Sequence, residues 1–274
     1  MLKAGVAPLL LILIWPVEAG AQRDSRPFLL MNPKSRSAVL SIHGLRASPW
    51  ETGRLGEYLN ERGFTVYGMR LPGHGTRVED LAGVTYKEWV SAALKAADSL
   101  RERSDRIYLV GVSLGGLIAL YIAENRDISG VVAVAPAFKL QSRLTLFVPF
   151  VKFFKRYTWR PVRPEHREFY YERIPLSSVH ELMKLSKEVQ RRADRIRAPV
   201  LIMHSVKDPL VSPSGSERFY QGLKVSGKRF VRFDSPVHVL ITDENPRVDE
   251  ALEAIYRFLI EQERRYEGEK FSGG

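Results

Sequence analysis

The sequence has no cysteine among its 274 residues. This absence excludes disulfide bonds, thiolate metal sites and a cysteine nucleophile. The chain also has no internal repeat and no low-complexity tract. Its N-terminal apolar run, residues 4–17, is shorter than the roughly 20 residues that a helix needs to span a bilayer. These absences leave an ordinary folded protein whose chemistry must come from side chains other than cysteine.

Acidic residues are fewer than basic ones. The chain has 31 Asp and Glu against 42 Lys and Arg, a formal net charge of +11. This excess admits an anionic partner, such as nucleic acid, acidic lipid or an acidic substrate. No nucleic-acid-binding module is recognisable, so we do not expect such binding. A hydrophobic fraction of 45% excludes intrinsic disorder, and the length allows one large α/β domain or two small ones.

The N-terminus has the pattern of a secretory signal peptide over residues 1–21. Lys3 provides the positive start, an apolar run follows, and the small residues of Ala19-Gly20-Ala21 predict cleavage before Gln22. We therefore expect an exported protein, periplasmic or secreted. The alternative is an uncleaved segment that anchors the protein to a membrane.

The remaining chain alternates between short apolar runs and amphipathic segments. Strands are expected at residues 37–43, 64–69, 107–112, 130–135, 199–204 and 229–233. Helices are expected at residues 49–62, 85–103, 114–125 and 248–263. Strands that are apolar throughout and alternate with helices predict a mostly parallel sheet covered by helices on both faces.

One segment interrupts this alternation. Residues 138–174 hold ten of the 28 aromatic residues, and nine Lys or Arg against three Glu. We interpret residues 138–195 as a small helical cap inserted into a core formed by residues 22–137 and 196–274. The cap would lie over the carboxyl edge of the sheet and line an apolar pocket. Its basic and phenylalanine-rich stripe predicts binding to an anionic membrane surface. The alternative is that the stripe is ordinary cap core with a solvated face.

Residues 111–115 read Gly-Val-Ser-Leu-Gly. The pattern follows a predicted strand and precedes a predicted helix, the setting of a nucleophile elbow with Ser113 at the turn. The tight turn needs small neighbours, which Gly111 and Gly115 provide. The alternative is a plain strand-to-helix turn in which Ser113 caps the helix.

A serine nucleophile needs a base and an orienting acid, which follow it in the chain order Ser, acid, His. Of six histidines, His238 fits best, because it lies in a loop between the last strand and the last helix. Asp208 follows the penultimate strand and is the predicted acid, with Asp234 in reserve. The alternatives are a structural His238 and a turn-forming Asp208 before Pro209.

An oxyanion hole needs two backbone N–H groups. We expect them from Leu114, directly after the nucleophile, and from Leu45, in the loop after the first predicted strand. His43 is expected to tie that loop by a hydrogen bond, with a catalytic role as the alternative. The glycine-rich loop at residues 71–75 lacks the lysine and the spacing of a phosphate-binding loop. We expect it to be a tight turn with His74 in a structural hydrogen bond.

Taken together, these motifs resemble the α/β-hydrolase superfamily over residues 37–262. The motifs are His43-Gly44, the LPGHG loop, GVSLGG at 111–116, HSVKDPLVSP at 204–213 and SPVHVLITDE at 235–244. Within the superfamily the chain resembles bacterial monoacylglycerol lipases and carboxylesterases. By position, the resemblance implies a nucleophile at Ser113, an acid at Asp208, a base at His238 and oxyanion donors at Leu45 and Leu114.

The expected function is therefore serine ester hydrolysis on a small acyl ester or lipid through an acyl-enzyme, without metal or organic cofactor. Rival hypotheses with the same chemistry are a thioesterase, a C–C bond hydrolase and a peptidase. A rival of another class is a non-catalytic protein that binds a lipid or a partner with its cap. Labelling by a fluorophosphonate discriminates between the catalytic and the non-catalytic hypotheses.

Overall fold

The computed structural model describes residues 24–272. The predicted signal segment at residues 1–21 lies outside the described residues. The strands in chain order are β1 (Phe28–Leu30), β2 (Ser37–Ile42), β3 (Thr65–Met69), β4 (Arg106–Val112), β5 (Gly130–Val134), β6 (Tyr157–Trp159), β7 (Arg173–Pro175), β8 (Val200–Ser205) and β9 (Lys228–Phe233). The helices are α1 (Gly53–Asn60), α2 (Val78–Leu81), α3 (Tyr86–Arg101), α4 (Leu114–Ala123), α5 (Val148–Val151), α6 (Leu176–Arg191), α7 (Pro213–Gly222) and α8 (Val248–Ser272).

Seven strands form one sheet in the order β1-β3-β2-β4-β5-β8-β9. All neighbours pair in parallel except β1, which is antiparallel to β3 at the edge. Every residue of β2, β5 and β8 is buried, as expected for strands covered on both faces. The predicted α/β-hydrolase fold with a mostly parallel sheet is confirmed, and each predicted strand is present within one or two residues.

Two apolar layers cover the sheet. One contains residues of α3, α4, α6 and α7, and the other contains residues of α1 and α8. Helix α3 shows how the sequence specifies such an element. Thr85 and Glu88 form reciprocal hydrogen bonds that cap its first turn, and Trp89, Ala93 and Ala97 are buried at helical spacing.

The chain between β5 and β8 contains a hairpin of β6 and β7, the short helix α5 and the long helix α6. Val148, Leu176 and Val179 form a small apolar cluster in this region. The second half of α6 instead packs into the main core through Leu185 and Val189. The segment therefore packs against the main core through the second half of α6. Its other elements lie around the separate small cluster. Among the described helices, none is both long enough and apolar enough to cross a membrane.

Candidate active site

The four predicted site loops lie at one edge of the sheet. Leu45 follows β2, Ser113 follows β4, Asp208 follows β8 and His238 follows β9. Because these strands run parallel, their carboxyl ends meet at the same edge, where ligands bind in open α/β sheets. A cavity of about 900 Å³ is present there, and its wall includes Leu45, Ser113 and His238.

Ser113 lies in a strained turn between β4 and α4. Its φ is 53° and its ψ is −106°, a backbone conformation that few residues other than glycine adopt. A Cβ at position 111 would collide with the carbonyl group of Gly115, and a Cβ at position 115 would collide with the carbonyl oxygen of Ile42. The two glycines therefore allow the sharp turn, and Ser113 lines the cavity. The Ser113 side chain makes no hydrogen bond to the helix that it precedes.

Asp208 and His238 form a hydrogen-bonded pair. His238 Nδ1 lies 2.7 Å from Asp208 Oδ2. The other oxygen, Oδ1, accepts the backbone N–H groups of Leu210 and Val211 at 2.8 and 3.0 Å. A buried ring, His204, lies with Nε2 3.2 Å from Oδ2. The carboxyl is therefore fixed from several sides and oriented toward His238.

The electrostatics of this pair favour an ionised Asp208. Burial alone raises the pKa of its carboxyl, but hydrogen bonds from His204 and His238 outweigh this effect and hold the pKa well below its ordinary value. A carboxylate at this position fixes the His238 tautomer with the proton on Nδ1, which leaves Nε2 as a proton acceptor. No hydrogen bond joins Ser113 Oγ to His238 within the described residues, although both line the one cavity.

The reserve candidates occupy other places. Asp234 pairs with Lys207 at the surface, 2.7 Å away, and not with His238. His43 is buried; its Nε2 accepts the N–H of Leu71 at 3.2 Å and its Nδ1 lies 2.9 Å from the carbonyl oxygen of Gly44. His74 lies with Nδ1 3.0 Å from the carbonyl oxygen of Pro72. Both histidines thus have the structural hydrogen bonds that the sequence predicts.

The two predicted oxyanion donors are available. Leu114 is the first residue of α4, so its N–H has no partner within the helix. The N–H of Leu45 donates to no acceptor among the described residues, and Leu45 lies on the cavity wall. The next residue, Arg46, has a φ of 70°. Its Nη1 binds the segment between β5 and β8, because it donates to the carbonyl oxygens of Arg160 and Tyr171 at 3.1 and 3.0 Å.

Sequence reasoning missed Glu51. Its carboxylate is buried and accepts the N–H of Gly44 at 2.6 Å and the hydroxyl of Tyr170 at 3.1 Å. Burial raises the pKa of Glu51 to about 7. Glu51 therefore fixes the loop that carries Leu45 by accepting the N–H of Gly44. Its position in an expected helix gave no signal of this role.

The cavity has an apolar part and a polar part. The apolar wall comes from the segment between β5 and β8, namely Leu140, Leu144, Phe147, Val148, Val151, Ile174, Leu176, Val179 and Leu182. The polar wall contains the charged residues Arg46, Glu51, Lys155, Arg160, Arg163 and Glu244, together with His166 and Tyr170. Such a division suits an amphiphilic molecule with an apolar chain and a polar end. Within residues 24–272, no group of three or more His, Asp or Glu side chains is arranged to hold a metal ion.

The fold and the site define an α/β-hydrolase of the serine hydrolase type. The chain belongs to the serine aminopeptidase S33 family, whose sequence profile matches residues 33–245.

Individual relatives agree with this placement. The chain is 30% identical to a thermostable monoacylglycerol lipase from Bacillus sp. (strain H-257) over 233 residues, which cover 84% of this chain and 91% of the relative. It is 24% identical to a carboxylesterase from Bacillus subtilis (strain 168), over 81% of this chain and 92% of the relative. The crystal structure of a monoacylglycerol lipase from Paleococcus ferrophilus matches with a TM-score of 0.74 at 27% identity, over 86% of this chain and 98% of that one.

Proposed function

We propose that the protein hydrolyses acyl esters through a triad of Ser113, His238 and Asp208. The chain is a lipase/esterase-type α/β-hydrolase that acts on esters. The observation that carries the triad proposal is the shared cavity, because the strained Ser113 and the Asp208-paired His238 both line it. The named relatives are a monoacylglycerol lipase and a carboxylesterase, which favours a carboxylic ester as the substrate.

In the proposed reaction, His238 Nε2 takes the proton of Ser113 Oγ as this oxygen attacks the ester carbonyl. The N–H groups of Leu45 and Leu114 stabilise the negative charge that develops on the carbonyl oxygen. Collapse of the tetrahedral intermediate breaks the ester C–O bond, and His238 gives its proton to the leaving alcohol. A water molecule then loses a proton to His238, attacks the acyl-enzyme and releases the free acid, and Ser113 recovers its proton.

The apolar part of the cavity supports an acyl chain as the apolar portion of the substrate. Its wall consists of aliphatic and aromatic side chains from the cap cluster and the adjacent loops, including Leu140, Val148 and Val179. The polar part then faces the alcohol. A peptidase that recognises a free N-terminal ammonium needs carboxylates to bind it. Four basic side chains and two glutamates line this cavity, and this excess of positive charge disfavours such a substrate.

A panel of esters with graded acyl length, assayed on wild type and on S113A, tests this proposal. We expect hydrolysis to increase with acyl length until the apolar part is filled, and to fall by orders of magnitude in S113A. Matched thioesters and amino-acid anilides in the same panel test the rival reactions. Hydrolysis of anilides at a higher kcat/KM than any ester would contradict the proposal.

We further propose that the cap docks on an anionic lipid surface. The supporting feature is an exposed apolar group beside basic side chains: Phe153 is 78% exposed, Phe154 93% and Phe150 71%. Lys152 and Arg156 lie in the same segment. Monomeric proteins rarely expose so many large apolar side chains together, and anionic lipid attracts nearby Lys or Arg by about 1 kcal/mol each. Leu144 and Phe147 of the same segment line the cavity, so docking would bring lipid to its entrance.

Binding to vesicles with and without anionic lipid tests the docking proposal. Anionic vesicles should bind more protein than neutral ones, and binding should fall as salt rises. The variant K152Q/R156Q should lose most of the preference for anionic lipid, and F153S/F154S should lose binding to both. A matched control is K95Q/R103Q, which removes two exposed cations outside the cap. Equal binding of wild type to the two vesicle types at low salt would refute the proposal.

We also propose export, on the pattern of residues 1–21 alone. Mass spectrometry of the protein from its native host should give a mature N-terminus at Gln22. An intact start at Met1 or Leu2 would contradict cleavage and would favour a membrane anchor or a cytoplasmic protein.

A further inference from the structure

The polar wall of the cavity carries an excess of positive charge. Four basic side chains line the cavity against two carboxylates: Arg46, Lys155, Arg160 and Arg163 against Glu51 and Glu244. Both carboxylates already have partners. Glu51 accepts from Gly44 and Tyr170, and Glu244 Oε1 lies 3.5 Å from His166 and 3.9 Å from Arg163. The protein itself therefore does not neutralise this wall.

Arg160 is a half-buried basic residue of this wall whose side chain has no partner among the described residues. Its backbone is well fixed, because its N–H donates to the carbonyl oxygen of Glu172 at 2.8 Å and its carbonyl accepts from Arg46 Nη1 at 3.1 Å. Its guanidinium makes no hydrogen bond or ion pair with any described residue. A guanidinium has five N–H donors in a rigid plane, so this side chain offers unused donors to the cavity.

The guanidinium of Arg160 is a partly buried cation with no paired anion among the described residues. Burial and the neighbouring charge of Arg46 lower the pKa of Arg160 to about 10, against a partial compensation from Asp208, Glu244 and Tyr170. The side chain thus stays charged at neutral pH while water is partly excluded from it.

We propose that Arg160 binds an anionic group, a phosphate or a carboxylate, on the alcohol part of the ester substrate. This proposal rests on the proposed function, because it names the substrate class of the same site. The acyl chain occupies the apolar wall, so the alcohol must face the polar wall that contains Arg160 and Arg46. A phosphate or carboxylate accepts two parallel N–H bonds from one guanidinium, which matches the free donors here. An uncharged alcohol such as glycerol would leave the guanidinium unpaired beside bound substrate, at a cost in binding.

Three octanoyl esters that differ only in the alcohol provide the test: octanoylglycerol, octanoylglycerol phosphate and the octanoyl ester of glyceric acid. All are used below the concentration at which they form micelles, so that surface binding does not contribute. Wild type should hydrolyse one or both anionic esters with a kcat/KM about 10-fold or more above that of octanoylglycerol. The phosphate and carboxylate arms distinguish the two possible anions. The difference should be mainly in KM, because Arg160 binds a group remote from the reacting bond.

Variants then assign the preference to Arg160. R160Q should lower kcat/KM for the anionic esters about 10-fold or more and so abolish the preference for them. R160K should keep part of the preference, because lysine keeps the charge but lacks the planar guanidinium. R143Q is the matched control, since Arg143 is exposed in the cap and does not line the cavity. It should keep the wild-type ratio. Equal melting temperatures of the variants exclude a folding defect.

The possible failures are distinguishable. If wild type hydrolyses p-nitrophenyl butyrate but shows no preference for either anionic ester, the inference about Arg160 is wrong and the proposed function stands. The same holds if R160Q slows all three esters equally, since that is the effect of a structural residue. If wild type hydrolyses neither p-nitrophenyl butyrate nor any octanoyl ester, the proposed function itself is wrong.

Discussion

Replacing Asp208 by Asn tests the orienting role of the acid with little change in shape. Asn keeps an oxygen at Oδ1, which still accepts the N–H groups of Leu210 and Val211. The other terminal atom becomes an NH₂ donor that faces His238 Nδ1, now 2.7 Å from Oδ2. Two donors cannot share that contact, so the ring is driven to carry its proton on Nε2. In this tautomer it cannot accept the proton of Ser113.

The expected loss of kcat is large, because every turnover requires His238 to accept a proton on Nε2. An Asp-to-Asn change of this kind in a serine triad lowers kcat about 10⁴-fold. That factor corresponds to about 5 kcal/mol of transition-state stabilisation. The variant D234N is the matched comparison. Asp234 forms an exposed ion pair with Lys207 and does not contact His238, so kcat of D234N should stay close to the wild-type value.

Steady-state hydrolysis of p-nitrophenyl butyrate by wild type, D208N and D234N measures these effects. KM should stay near its wild-type value in D208N, because the acid does not touch the substrate. Thermal unfolding of each variant shows whether the fold is retained. Equal losses in the two variants, or a greater loss in D234N, would refute the assignment of Asp208 as the acid.

Two further predictions concern stability. Glu124 is buried, neither of its carboxylate oxygens has a hydrogen-bond partner within the described residues, and burial raises its pKa to about 8. The folded state therefore holds a proton that the unfolded state releases above about pH 4.5, so the stability present at low pH is lost as pH rises toward 8. Urea unfolding measures the free energy of unfolding of E124Q and wild type. The two values should be similar at pH 4.5, and E124Q should be about 1–3 kcal/mol more stable at pH 8. The same pH dependence in both proteins would contradict this reasoning. G115A should lose about 1–3 kcal/mol of unfolding free energy, because its Cβ would collide with the Ile42 carbonyl. G222A is the control, since a Cβ at that position has open space around it. Similar melting temperatures of the two variants would show that the turn tolerates a side chain.

The parts of the fold that the sequence predicts are those with strong local patterns. Strands such as β2 and β5 are short, apolar throughout and bounded by turn residues, so their burial is visible without a structure. The strand β1 has no such pattern. Its three residues are only half-buried, and their extended conformation comes from pairing with the edge of β3. Tertiary pairing of this kind leaves no periodicity in so short a segment.

The helix α6 shows where a domain boundary escapes sequence reasoning. The cap predicted at residues 138–195 includes all of it, and that boundary stays a prediction. In the structure its first half contributes Leu176 and Val179 to the cap cluster, while Leu185 and Val189 join the main core. One continuous apolar stripe of α6 packs into both the cap cluster and the main core. Its helical periodicity therefore does not show where the cap ends and the core begins.

At the site, local motifs and chain order are sufficient to select Ser113, Asp208 and His238 as candidates. They are not sufficient for Glu51 or Arg160. Glu51 follows Gly44 by seven residues, and its carboxylate returns to that N–H only because a turn of 3₁₀ helix, Pro49–Thr52, folds it inward. Arg160 belongs to a basic segment whose charges all look like a solvated surface in the sequence. Its placement on the cavity wall depends on the cap hairpin.

The central claim is that Ser113 is the nucleophile, and covalent labelling tests it most directly. A fluorophosphonate reacts with an activated serine and stays attached, so peptide mass spectrometry locates the modified residue. We predict one adduct, on the peptide that contains Ser113, no adduct in S113A, and strongly slowed labelling in H238A, because the base activates the oxygen. An adduct on another residue, or equal labelling of wild type and S113A, would contradict the account.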